Sequence, residues 1–455
     1  MSRARSFARL HQGLSIALAA AAAFGCATKD DVALSKTELP EIPKLPVPPE
    51  HGPKLASIAD LTPVLERPSA SAKRLGYLHA GGRVARAAQP YSRESCQDGW
   101  YPVRPAGFVC ATGSATVDLN HPTLAAMAIQ PLLDQPLPYT YARTTTETPL
   151  FERDSGHEGA VREIGKLKRR AGMAVVGSWS AALPGGETER LALLTSGKFV
   201  KASDLEAAKP SSFEGVILDA KRELPLAFVV KRSVRLWKLD GDEARQDREL
   251  EVHEQLALTG KFRTVHGEKF WATEKDRWVR HKDTTVVLAR STFPDFAKDG
   301  QKWLDVSVVM GTLVAYEGKK PFLVTLVSVA RNPLPAAPSS PEEGVTTAGP
   351  GTPVGLGTFE VSAKYVTLVG ADPFAPRESY QLYDVPWAFE LSSGRLAYGA
   401  YWHERFGVEH GPGAIELAPA DAVRLFHWIT PSVPDGWHAT SMPGGEAKTL
   451  VVVRK

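Results

Sequence analysis

The stretch Tyr401-Trp402-His403-Glu404-Arg405-Phe406-Gly407-Val408-Glu409-His410-Gly411-Pro412-Gly413-Ala414-Ile415-Glu416-Leu417, continued by Ala418-Pro419-Ala420-Asp421-Ala422, reads as a strand, a glycine-rich turn, a short second strand and a helix start. Pro419 stands where a first-turn proline is tolerated, because the N–H it lacks would have no intrahelical partner there. Asp421 falls in the first turn, where the helix dipole favours a carboxylate. Ala422, Leu425, Phe426 and Trp428-Ile429 give the helix one apolar face. A glycine-rich turn between strand and helix often presents a reactive side chain. Here its centre holds Pro412, Gly413, Ala414 and Ile415, none of which can attack or move a proton through its side chain.

Working outward, this stretch ends a segment that begins near Gln301. Lys302-Trp303-Leu304-Asp305-Val306 and Thr312 to Ser328 predict a β-meander with turns at Met310-Gly311 and Glu317-Gly318. Lys302 and Asp305 read as surface strand residues. The Pro-, Ala- and Ser-rich run from Pro333 to Pro350 reads as a long loop. Beyond it come Thr352-Pro353-Val354-Gly355, the strand around Thr358-Phe359-Glu360-Val361, and Asp384-Val385-Pro386-Trp387.

This order of residues resembles the L,D-transpeptidase catalytic domain, in its multi-module bacterial lipoprotein form. The resemblance is carried by Trp303-Leu304-Asp305-Val306, Leu313-Val314-Ala315-Tyr316-Glu317-Gly318, Thr352-Pro353-Val354-Gly355 and Asp384-Val385-Pro386-Trp387. Gly399-Ala400-Tyr401-Trp402-His403, Phe406-Gly407, Leu417-Ala418-Pro419-Ala420-Asp421-Ala422 and Gly436-Trp437-His438 complete it. It covers residues 300–455 and implies a β-sandwich with one short helix. It also implies acyl transfer between peptidoglycan stem peptides, in which a cysteine thiolate attacks the donor carbonyl, a histidine activates the thiol and backbone N–H groups hold the oxyanion.

The chemistry does not carry over. Aligned without a gap through Phe406-Gly407 and Leu417-Ala418-Pro419-Ala420-Asp421, the family's upstream histidine falls on Tyr398 and its Ser/Thr-His-Gly-Cys on Gly411, Pro412, Gly413 and Ala414. The Asn or Arg of the family signature falls on Glu416. A methyl group replaces the nucleophile, and no base remains beside it. The resemblance therefore points to a degenerate active site with no catalytic residue. His403, Glu404, Glu409, His410 and Glu416 gather nearby. Two histidines and a carboxylate are a ligand count that zinc accepts, but the spacing follows no metal pattern, and no metal or cofactor is expected. Ser432 and Ser441 lack the neighbours of a triad.

Toward the N-terminus, Arg3, Arg5 and Arg9 precede an apolar run from Leu14 to Phe24, the layout of an export signal that is too short to span a bilayer comfortably. Ala23-Phe24-Gly25-Cys26 resembles a lipoprotein processing box, making Cys26 the expected lipidation site and a membrane anchor. Ala27 follows the cysteine where an aspartate would favour inner-membrane retention, so the expected location is the outer membrane, facing the periplasm. In an exported chain Cys96 and Cys110, which flank two short strands and a Pro-Gly turn, are expected to pair. All three cysteines then have structural assignments.

Thr62-Pro63-Val64-Leu65-Glu66-Arg67 recurs as Thr148-Pro149-Leu150-Phe151-Glu152-Arg153, and each copy closes on a similar pattern around Phe108-Val109 and Phe199-Val200. A third, more diverged copy runs from Val234-Arg235-Leu236-Trp237 to Trp278-Val279-Arg280. Short strands at regular spacing argue for small barrels, and the pattern resembles bacterial SH3-like modules. Trp100, Trp237, Trp271 and Trp278 read as barrel filling.

The expected organisation is a signal peptide over 1–26, a proline-rich tether over 27–54, SH3-like modules over 55–120, 140–210 and 225–290, and the L,D-transpeptidase-like domain over 300–455. The fold class is mainly β. In 455 residues, Lys+Arg 54 against Asp+Glu 51 leaves +3. The densest basic cluster, Lys166-Leu167-Lys168-Arg169-Arg170, reads as a solvated turn, so no nucleic-acid partner is expected. The function so read is non-catalytic binding of peptidoglycan stem peptides or an envelope protein, with Trp402, His403 and His410 as candidate cleft residues. The alternatives are a transferase or hydrolase with a rewired site around His403 and His410, and a structural spacer.

Overall fold

In the computed structural model, the described residues are 45–329, 355–369, 384–410, 414–441 and 447–455. Cys26, the tether up to residue 44, the 333–350 loop and Gly411-Pro412-Gly413 lie outside them. The described chain is mainly β, as its sequence implies, and its helices are Pro122–Ala126, a short one the sequence reading missed, and Pro419–Trp428. Among the described residues no helix is long and apolar enough to cross a membrane.

The copies of the internal repeat share one strand pairing. In the first copy Leu65 pairs with Phe108, and in the second the equivalent Phe151 pairs with Phe199. In the third, Leu236 and Trp237 pair with Val279 and Trp278. Each opening strand thus lies against its own closing strand, the pairing that a shared hydrophobic register imposes. Cys96 and Cys110 form a disulfide that staples the first copy's Trp100–Pro102 and Phe108–Cys110 hairpin. The bridge closes a loop of separation 14, so chain entropy alone predicts that Cys96→Ala/Cys110→Ala costs about 3 kcal/mol. Thermal melts should show this loss in the oxidised protein. Reductant should then lower the wild type and leave the variant unchanged.

The segment from Lys302 onward closes a ring of strands. Lys302–Ser307, Thr312–Glu317 and Lys320–Val329 form the meander, and Ile415–Leu417 adds to its outer edge. From there the order runs through Leu396–Gly399, Asp384–Leu391, Gly357–Val369 and Leu450–Arg454, which returns parallel to Lys302–Ser307. The β-branched run Val451-Val452-Val453 suits a strand of this ring, with Val451 and Val453 buried. Gly311 and Gly318 make the turns with φ of +63° and +58°. At Gly311 a Cβ would meet the Gly407 backbone at 2.7 Å, so the 404–408 loop passes directly against this turn.

The helix lays Ala422, Leu425 and Phe426 against Leu304, Val361, Trp387 and Phe389 in the main core. Trp387 takes φ +54°, a conformation that aromatic residues seldom adopt. It is held there by packing on Phe426 and by donating its indole N–H to Pro136 O at 2.8 Å.

Three buried carboxylates fasten this ring to the preceding chain. Asp305, read from sequence as a surface residue, is buried between Arg290 and Arg454, at 2.5 and 2.7 Å. Asp421 accepts the Gly215 N–H, the Thr325 hydroxyl and an Arg424 guanidinium N–H. Asp384 accepts the Ala174 N–H at 2.9 Å and the Thr195 hydroxyl at 2.8 Å from the second repeat copy. Two strand pairings add to these ties, Arg74–His79 with Ala439–Thr440 and Val216–Ile217 with Lys320–Val329.

Candidate functional site

Leu396–Gly399 and Ile415–Leu417 run parallel, with Ala397 opposite Ile415, Tyr398 opposite Glu416 and Gly399 opposite Leu417. On its other side Ile415–Leu417 pairs antiparallel with Lys320–Val329, which sets Ser328 opposite Glu416. The register therefore brings together Tyr398 and Glu416, two of the positions that the sequence marks as vacated. Both are fully buried, at 0% exposure, and Ala414 is 1% exposed. Ala414 packs in an apolar cluster with Val385, Ala388, Leu396 and Tyr398, against which Trp402 also rests. The Ala414 methyl group is thus enclosed by other side chains.

Glu416 is held from the loop that precedes it. His403 Nε2 lies 2.9 Å and His410 Nδ1 3.1 Å from the same oxygen, Oε2, and the two imidazole rings are 4.2 Å apart. The Arg405 N–H donates to His403 Nδ1 at 2.9 Å. An imidazole whose Nδ1 accepts a proton carries its own on Nε2, so His403 is a donor to Glu416. Burial pushes the Glu416 carboxyl upward, but the hydrogen bonds and charge of His403 and His410 outweigh it and hold it below the usual glutamate range. Its Oε1 has no partner among the described residues.

The histidine and carboxylate donor atoms all lie within 4.8 Å of one another, close enough for a metal ion. The tautomer argues against one. A histidine that ligates through Nε2 presents N–H at Nδ1, usually to a carbonyl or carboxylate. Here Nδ1 already faces an amide N–H, so ligation would set two donors against each other. Zinc is accordingly expected to leave the melting temperature of the chain unchanged; a rise that His403→Gln abolishes would contradict this.

The remaining candidates disperse. Trp402 packs on Tyr398, Tyr401 and His403, with ring centroids 5.6, 5.0 and 6.0 Å away. Glu404 and Glu409 are exposed. Ser441 donates its hydroxyl to Arg74 O, and Ser432 is exposed. The hydroxyl that lies opposite Glu416 is that of Ser328, which sequence reading did not single out, and it is spent on the Arg405 carbonyl. Sequence reading also missed Asp384, pushed up to about 7 mainly by burial, and Asp421, pushed up to about 6 for the same reason. Neither carboxylate carries a local signal of its burial, because the groups that enclose it come from distant segments.

Comparison with solved structures finds L,D-transpeptidases. The Xylanimonas cellulosilytica L,D-transpeptidase (residues 123–326 of that protein) is 13% identical, with 36% of this chain and 64% of that one covered at a TM-score of 0.22. A cysteine-to-serine mutant of the Enterococcus faecium enzyme is 19% identical over 37% and 54%, also at 0.22. The Mycobacterium smegmatis enzyme is 17% identical over 55% and 89%, at 0.24. The match thus spans less than two thirds of the first two chains. No family model and no curated relative matches this sequence.

Proposed function

We propose that this chain is a cell-envelope lipoprotein whose residues 300–455 keep an L,D-transpeptidase-like framework without its chemistry, and that it binds peptidoglycan stem peptides. The observation that carries this is the state of the vacated positions. Ala414 is enclosed, Tyr398 is buried, and Glu416 is bound by two imidazoles from its own loop. Nothing there can form an acyl-enzyme, since that step needs an activated nucleophile beside a base. Export, lipidation at Cys26 and an outer-membrane location facing the periplasm belong to the same proposal and are supported by the N-terminal residues. An extended interface on such a framework can grip a peptide through backbone pairing and pockets without catalysis.

Sedimentation of the soluble chain, from residue 45 onward, with purified sacculi tests the binding. Retention that free muropeptides compete away is the expected result. A chain left wholly in the supernatant would overturn the reading in favour of a spacer.

One observation favours a second reading. Glu416 holding His410 through Nδ1 is the carboxylate–imidazole half of a general-base arrangement. In that reading His410 Nε2 would activate water against a wall peptide bond. Release of new peptide products from muropeptides, lost in His410→Gln, would establish it in place of the first.

A further inference from the structure

A cavity of about 670 Å³ opens where the 404–408 loop meets the linker around Ser211–Glu214 and the third repeat copy around Val230 and His253. Apart from Phe406, its lining lies outside the positions that carry the transpeptidase resemblance. Its size falls in the range of small-ligand sites. Its floor is aromatic: Phe213 and Phe406 stack 5.9 Å apart, and the His253 ring lies 4.7 Å from Phe213 and 6.3 Å from Phe406.

Three features mark it as built. His253 takes φ +70°, a backbone conformation costly for a residue with a side chain, and donates its N–H to Val229 O at 2.7 Å. The wall it faces is fixed: Ser328 donates to the Arg405 carbonyl, and the Gly407 N–H donates to Val327 O at 3.1 Å. Gly407 has φ +84°, and a Cβ there would meet Val230 at 2.7 Å, so the absent side chain is what lets loop and third copy close around the space.

The rim carries charge of both signs. Glu254 is paired with Arg248 and Glu214 with Arg424. Arg232, Glu251, Glu404 and Arg405 also line the cavity, and none of them is in an ion pair among the described residues. Guanidinium groups recognise carboxylates through paired N–H donors, and a carboxylate takes an ammonium as counter-charge.

We propose that this cavity binds a short peptide bearing both a carboxylate and a primary ammonium. The carboxylate sits on Arg232 and Arg405, the ammonium on Glu404 and Glu251, and the aliphatic part lies over Phe213 and Phe406. The assignment rests on the binding role proposed above and places it at the 404–408 loop instead of at Ala414. Phe406 joins the two regions, its ring 5.0 Å from that of His403.

The test is calorimetric titration of the full chain, kept in detergent, with an N-acetylated tetrapeptide carrying a lysine and a free C-terminus. Two control peptides are used, one amidated at the C-terminus and one acetylated on the lysine. Arg232→Gln/Arg405→Gln should weaken binding of the parent peptide about tenfold or more, as should amidation. Glu404→Gln should weaken the parent peptide while leaving the lysine-acetylated one unchanged. Unaltered melting temperatures exclude misfolding. If wild type and Arg232→Gln/Arg405→Gln are retained equally on sacculi, the cavity assignment falls and the binding role stands. If the wild type binds neither peptide nor sacculi, both fall.

Discussion

Glu416→Ala is expected to destabilise the folded chain by about 3–5 kcal/mol at neutral pH, the range for removing one partner from a buried charged cluster. The carboxylate is fully buried and accepts from His403 and His410, whose side chains are only 7% and 18% exposed. Its loss leaves both donors facing a void where water has poor access, so the desolvation penalty of each returns in full. The pH dependence has a definite sign. The folded carboxyl is held below its ordinary range, so its contribution is present above the unfolded glutamate value and is lost as pH falls through the folded one. The gap between wild type and variant should therefore narrow in acid. Combined with His403→Gln, the two losses should fall well short of adding, because each alone already breaks the same contact. A cost under about 1 kcal/mol would mean that the cluster is not a structural clamp.

Asp384 gives the second large effect, with the opposite sign. Burial pushes its carboxyl up to about 7, against the pull of the Ala174 N–H and the Thr195 hydroxyl. A raised folded value means that the native state holds the proton more tightly. Stability is then fully present below the unfolded value of 3.8 and is lost as pH rises through about 7. A rise of roughly three units corresponds to about 4 kcal/mol between pH 4 and pH 8. Asp421, raised to about 6, adds a contribution of the same sign over a narrower window. Asp384→Asn keeps an acceptor for Ala174 and Thr195 and removes the charge, so denaturation curves across this range should be flatter by about that amount. Equal slopes in wild type and variant would show that the carboxylate is accommodated in its charged form. Since Asp384 ties the second repeat copy to the strand ring, the same titration should loosen that junction, visible as faster amide exchange around Ala174 and Thr195.

The fold class was legible because its signals are local. Alternating apolar residues, Gly311 and Gly318 at turns, and Pro419 at a helix start each act within a few residues, and each stands where the sequence placed it. The repeat was legible as well, since Leu65 and Phe151 occupy one register in two copies. The disulfide followed from a hairpin whose ends must meet.

The candidate site was legible only in part. Sequence order set Ala414 and Glu416 beside each other, but their enclosure depends on Lys320–Val329 and Leu396–Gly399 arriving from both sides. His403 and His410 were legible as candidates near Glu416, but nothing local shows that both turn back onto one oxygen. Asp305 was misread for a related reason: its partners, Arg290 and Arg454, lie 15 and 149 residues away. Such long-range pairing of charges leaves no periodicity to read.

On the function proposed above, the loop and strand around Ala414 and Glu416 carry no acyl-transfer chemistry. Intact-mass spectrometry after incubation with muropeptides and with a carbapenem tests it most directly. The mass of the protein should be unchanged and no cross-linked or cleaved muropeptide should form. A covalent adduct, or turnover that His410→Gln abolishes, would contradict the account.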